Sequence, residues 1–282
     1  MYTINDLRKQ QYENHSRLYP YLDDWKKNPY TFLKARFYME SSAVLVYILL
    51  KTKVKPNTVS IIYGLLGIVT GILLSIPNNI AIFIGLVIAF NKGILDWSDG
   101  HYARITRQTS LTGHILDIYG AHLNSLGFQI GLGMYVAGKT DMLLFYYLIP
   151  LFIFFRAGSL NIFSKALLFD EISSENNVLL FLNNEKNKNL EVNGSESLDR
   201  KYINIFRGFL DDRARSVDFI CLIILLEIFT PINISWIIFL LIVMKYFIIF
   251  AASFYIIGKG SWAEGEMTNK LKILQVLLRK KR

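Results

Sequence analysis

The chain has 282 residues, of which 52% are hydrophobic and only 19% charged, with a formal net charge of +9 and a mean hydropathy of +0.33. Soluble domains carry about 25% charged residues, and here the deficit is local: no charge stands between Lys55 and Lys92, between Asp117 and Lys139, or between Glu227 and Lys245. Such runs reach the ~20 residues a helix needs to cross a bilayer core. That excludes a soluble enzyme and a disordered chain, while the single cysteine, Cys221, excludes a disulfide scaffold.

In chain order, residues 31–50 predict a helix lying along the cytoplasmic interface, with a poorly inserted extra span as the competing reading. The first span is expected near Thr58 to Ile76, ending at the breaker cluster Pro77-Asn78-Asn79. The second starts near Ile80 and runs into a polar end, Asn91 to Thr106. The third covers about Gly113 to Gly138, and the fourth runs from the Lys139-Thr140-Asp141 turn to about Phe169. A fifth span occupies roughly Ser216 to Phe229, breaks at Thr230-Pro231, and is followed by a sixth from about Ile232 to Ile257. The expected fold class is therefore all-α: a polytopic membrane bundle of six transmembrane helices with an N-terminal interfacial amphipathic helix.

Basic residues set the expected orientation. The segment through Lys55 holds ten, the 104–112 turn two, the stretch from Lys165 to Arg215 eight and the tail from Lys259 seven. The turns predicted on the other side hold Lys139 alone. Both termini and the polar end of the second span are thus expected in the cytoplasm, where the positive charge meets anionic membrane lipids. Nothing resembles a nucleic-acid recognition element. The organisation expected is a cytoplasmic helical segment 1–54, a six-span core 55–260 and a basic tail 261–282. Within the core, the polar stretch 173–201 reads as a solvated cytoplasmic insertion.

Asp96, Asp99 and Asp117 stand out, because a carboxylate at membrane depth costs at least about 2.5 kcal/mol and normally faces a polar cavity. Asp96, Asp99, Gly100 and Ala103 share one helix face, and Gly113, Asp117 and Ala121 share another. The turn between the spans is short, so the faces are expected to meet near the cytoplasmic surface. Three carboxylates there repel one another unless a divalent cation holds them, and hard oxygen ligands suit Mg²⁺, Mn²⁺ or Ca²⁺.

The run Asp96-x2-Asp99-Gly100-x2-Ala103-Arg104-x8-Gly113-x3-Asp117-x3-Ala121 resembles the signature of the CDP-alcohol phosphatidyltransferases, D-x2-D-G-x2-A-R-x8-G-x3-D-x3-D. Seven of its eight fixed positions match. The preceding Pro56-Asn57-Thr58-Val59-Ser60 is similar to the entry of that family's first core span. The resemblance implies a membrane enzyme, usually a homodimer, that moves a substituted phosphate from a CDP-linked alcohol or CDP-diacylglycerol onto a hydroxyl acceptor and releases CMP, in phospholipid or related membrane-component biosynthesis. It further implies two Mg²⁺ or Mn²⁺ ions held by Asp96, Asp99 and Asp117, and a CDP site lined by Gly100, Ala103, Arg104 and Gly113.

The eighth position departs from the pattern. Where the family has an aspartate that activates the acceptor hydroxyl and binds metal, this chain has Ala121, whose methyl group does neither. Three accounts are open: a replacement that stops turnover, a base supplied instead by His122, or a natural relative that binds without transferring.

Among the other charged residues, Arg156 and Lys245 fall in the cytoplasmic half of their spans, and a buried arginine suits bidentate phosphate recognition. They are candidates for an acceptor or lipid phosphate; a structural counter-ion or a snorkelling side chain is the alternative. Glu227 is expected near the outer interface, and Lys92 is placed to pair with Asp96 at i, i+4. Arg213 and Arg215 read as positive-inside residues, and His15, His101 and His114 lack metal spacing. A membrane transporter is the alternative class, since intramembrane charges also mark ion pathways.

Overall fold

The computed structural model describes residues 2–18, 29–160, 214–258 and Gly265. The 173–201 insertion, the end of the fourth expected span, Arg213 and the basic tail lie outside the described residues. Those residues form eight helices and no strand: α1 (Ile4–Leu18), α2 (Pro29–Leu49), α3 (Pro56–Ser75), α4 (Asn79–Ile105), α5 (Leu111–Thr140), α6 (Leu143–Gly158), α7 (Ala214–Phe229) and α8 (Ser235–Gly258). The chain is all-α.

Local chemistry sets the boundaries. Pro56 opens α3, where its missing N–H costs nothing. Asn78 caps α4, its side-chain oxygen accepting from Ile80 N at 2.8 Å and Ala81 N at 3.3 Å. Ser110 caps α5 by accepting from Gly113 N at 3.0 Å. The chain turns from α4 into α5 through Arg107, which takes a left-handed φ of 55°.

Three helices, α3, α4 and α8, are long and apolar enough to cross a membrane, and the chain is an integral membrane protein. The other three expected crossings do not meet that standard over their described residues. Helices α6 and α7 have 16 residues each, about 24 Å at 1.5 Å per residue. Helix α5 carries Asn124, Ser125 and Gln129 buried in its middle.

The described helices fall into two compact units, the first holding α1–α5, α7 and the beginnings of α6 and α8 through Tyr146 and Phe239, the second the remainders of α6 and α8. In the first unit α3 and α5 pack backbone against backbone. A Cβ on Gly67 would overlap the Asn124 backbone, and one on Gly127 would overlap Gly67. In lipid, where no hydrophobic force drives helices together, such close approach supplies the dispersion energy. Asn124 adds a buried bond, its Nδ2 donating to Tyr63 O at 3.0 Å.

Helix α4 packs on α3, α2 and α7 pack on α4, and α1 packs on α2. The amphipathic character expected of α2 is not seen. It turns Leu33, Phe37, Val44 and Ile48 outward and buries Lys34 and Ser42. Interior partners explain the reversal: the Ser42 hydroxyl donates to Gln11 Oε1 of α1 at 2.9 Å, and Lys34 pairs with Asp218 of α7.

Glu227, near the end of α7, is 1% exposed. It accepts from Ile234 N at 2.5 Å, Ser235 N at 2.6 Å, the Ser235 hydroxyl at 2.9 Å and the Tyr135 hydroxyl at 3.0 Å. Lys139 Nζ donates to the Glu227 carbonyl at 2.9 Å. One carboxylate therefore caps the start of α8 and ties α7 to α5, a role that its expected interface depth does not disclose.

In the second unit aromatic rings mesh. Phe152 meets Tyr246 edge-on at 5.3 Å, and the Phe250 ring occupies the space a Gly158 side chain would need. Leu160 N donates to the Ser253 hydroxyl at 3.0 Å.

Candidate active site

The last two turns of α4 and the first two of α5 run in opposite directions across a five-residue turn, which returns Asp117 to the level of Asp96 and Asp99. Asp96 feels the charge of Asp117 most strongly among its charged neighbours, then Asp99 and Lys92. Asp99 in turn feels Asp117. The five-residue turn brings the two helix faces to the same level, and Lys92 is the i, i+4 neighbour of Asp96 on α4.

Helix α3 completes the cluster. Ser60 donates its hydroxyl to Asp99 Oδ2 at 2.5 Å, while Gly100 N donates to Asp99 Oδ1 at 2.6 Å. Tyr63, one turn after Ser60, faces the Asp96 carboxylate. A Cβ on Gly113 would meet Asn57 Oδ1 at 3.1 Å and Ser110 Oγ at 3.2 Å, so glycine lets the start of α3 close against the start of α5. At Gly100 a Cβ would lie 3.2 Å from the Arg104 guanidinium, which folds back over the glycine toward Asp99. Gly100, Arg104 and Gly113 thus border the three carboxylates, and Ala103 lies half-buried on the α4 face they share.

Among the described residues no three acidic, histidine or cysteine side chains enclose a single cation as placed. Asp99, at 4% exposure, accepts from Ser60 and Gly100. The chemistry of the donor set nevertheless fits hard divalent cations, since three carboxylates face one another with Lys92 and Arg104 as neighbouring positive charges.

Ala121 sits one turn beyond Asp117 on α5, half-buried, and His122 follows it at similar exposure. The histidine whose charge reaches Asp117 is His114, one turn earlier. The sequence reading set it aside because it fits no metal spacing, although its i, i+3 relation to Asp117 was legible. Ser60, Tyr63 and Asn57 were likewise missed as site residues, because only the packing of α3 shows which way they face.

Arg156 and Lys245 belong to the second unit. Both are buried, and both lie over the Tyr246 ring, at 5.2 and 5.4 Å from its centroid. Two cations from different helices converge there.

Residues 53–154, from just before α3 into α6, match the family model described as CDP-alcohol phosphatidyltransferase. Comparison with curated proteins and with solved structures finds no match.

Proposed function

Taking residues 53–154 to be a CDP-alcohol phosphatidyltransferase domain, we propose that the chain binds a CDP-linked alcohol at the α4–α5 acidic cluster and transfers its substituted phosphate to a hydroxyl acceptor. In that reaction the acceptor oxygen forms a new bond to the phosphorus that bears the alcohol. The bond from that phosphorus to the CMP oxygen breaks, and CMP leaves. The observation that supports this reading is that Asp96 and Asp99 share a face at the end of α4, with Ser60 of α3 donating to Asp99, while the five-residue turn into α5 brings Asp117 back to their level.

Asp96, Asp99 and Asp117 are the residues to hold Mg²⁺ or Mn²⁺, two ions by family resemblance. Bound there, the ions would neutralise charge on the donor pyrophosphate. Ser60 orients Asp99, and Arg104, folded over Gly100, is placed to contact a phosphate alongside. Ala103 and Gly113 keep the walls small. Arg156 and Lys245 are assigned to an acceptor or lipid phosphate. The wider arrangement proposed is six crossings, a cytoplasmic site and termini, and a homodimer.

The acceptor's proton needs a base, and Ala121 supplies none. That observation favours a second reading, a relative that binds the CDP-alcohol without transferring it; His122 as a substitute base is the competing account. Thermal unfolding in detergent tests binding. CDP or CMP is expected to raise Tm only with Mg²⁺ or Mn²⁺ present, and other nucleotides are expected to have no effect. No stabilisation by CDP with either metal overturns the proposal. CMP release by the unmodified chain supports His122 acting as base, whereas release only after Ala121→Asp supports the binding-only reading.

A further inference from the structure

The first unit holds a second buried charged cluster, outside the 53–154 segment and without a part in the chemistry above. Lys34 of α2 and Asp218 of α7 pair at 2.7 Å, with side chains 8% and 5% exposed. The Tyr30 hydroxyl donates to the same Asp218 oxygen at 2.6 Å. Lys34 also donates to the Phe90 carbonyl of α4 at 2.9 Å, with its Nζ 3.2 Å from the centroid of the Phe90 ring. One ammonium thereby joins three helices.

The cluster continues toward the acidic site. Tyr38, one turn after Lys34, donates its hydroxyl to the same Phe90 carbonyl at 3.3 Å. Its ring fills the space where a Gly93 side chain would stand, and lies 5.8 Å from the Trp97 ring. Gly93 and Trp97 flank Asp96 on α4, and Tyr38 is near enough to feel the charges of both Asp96 and Asp218. The pair fixes where α2 meets α4, and Tyr38 carries that register to the turn bearing Asp96.

We propose that Lys34, Asp218 and Tyr38 are positioning residues for the donor site: the buried Lys34–Asp218 pair locks α2 and α7 onto α4 and so sets the rotation of the Asp96–Asp99 face. This inference rests on the donor-binding reading above. A buried ion pair is often replaceable by apolar residues without loss of stability, whereas removing one partner strands a charge. The double variant Lys34→Met/Asp218→Leu therefore separates positioning from folding.

The measurement is CDP affinity in Mn²⁺, read by titration of the detergent-solubilised chain, beside Tm without ligand. The expected result is a double variant whose Tm stays within a few degrees but whose CDP affinity falls at least tenfold. Lys34→Arg, which preserves the pair, should remain within about twofold. Tyr38→Phe, which loses one bond to the Phe90 carbonyl, should fall about threefold. A folded double variant with unchanged affinity overturns the inference and leaves donor binding standing. A double variant that unfolds while Tyr38→Phe and Gly93→Ala keep full affinity also overturns it. Absence of CDP binding by the unmodified chain overturns both readings together.

Discussion

Two of the places where the first unit holds carboxylates in its interior, Glu227 and the Asp96–Asp99–Asp117 cluster, have opposite surroundings. Glu227 accepts from four donors within 3.0 Å and joins α5, α7 and α8. Asp96, Asp99 and Asp117 lie within reach of one another's charge, and Asp99 accepts from the Ser60 hydroxyl and Gly100 N. A carboxylate surrounded by donors contributes to holding a fold, because its desolvation is compensated within the chain. A cluster of like charges is offset only in part by Lys92, Arg104 and the neighbouring donors, and a cationic ligand would offset the rest. A carboxylate in an apolar setting thus serves structure at Glu227, whereas the three aspartates are the ones proposed to bind ligand.

The contrast breaks most severely if the frame beneath the acidic site is forced apart. Gly67→Leu places a side chain inside the Asn124 backbone and is expected to abolish a monodisperse, folded protein by size-exclusion chromatography. Next in size, Glu227→Ala strands several buried donors. A loss of about 3 kcal/mol of stability is expected, seen as a lower Tm, with CDP affinity changed less than twofold in the protein that folds. Asp96→Asn should do the reverse. Metal-dependent CDP affinity is expected to fall by about 100-fold, or ~2.7 kcal/mol, while Tm without ligand holds or rises because a repulsive charge is gone. The smallest effect belongs to Ser60→Ala, which removes one hydrogen bond to Asp99 and should weaken CDP binding about fivefold, close to 1 kcal/mol. If Asp96→Asn instead destabilised the protein as Glu227→Ala does, the two regions would not differ in kind.

The legibility of each region in the sequence follows the range of the interactions that build it. The Asp96–Asp99–Gly100–Ala103–Arg104 face is a matter of helical repeat within α4, and the short turn to α5 returns Asp117 to it, so the core of the candidate site could be read from spacing alone. Charge-free runs likewise marked α3, α4 and α8. Asp218 was hidden because a single acidic residue at the start of α7 has no local pattern that names a partner 184 positions away, and Lys34 passed as one more interfacial cation. Ser60 was visible beside Pro56-Asn57, yet only the approach of α3 to α4 turns its hydroxyl to Asp99.

What the amino-acid order determined by itself was the all-helical class, the apolar runs of α3, α4 and α8, and which carboxylates share a face, since hydropathy and a 3.6-residue repeat act over one or two turns. The partners of buried charge were decided only by tertiary structure. Lys34 with Asp218, Glu227 with the start of α8, and Ser60 with Asp99 each pair across separate helices. Low dielectric makes such pairings energetically decisive, but the chain must first close over long loops to bring the groups together.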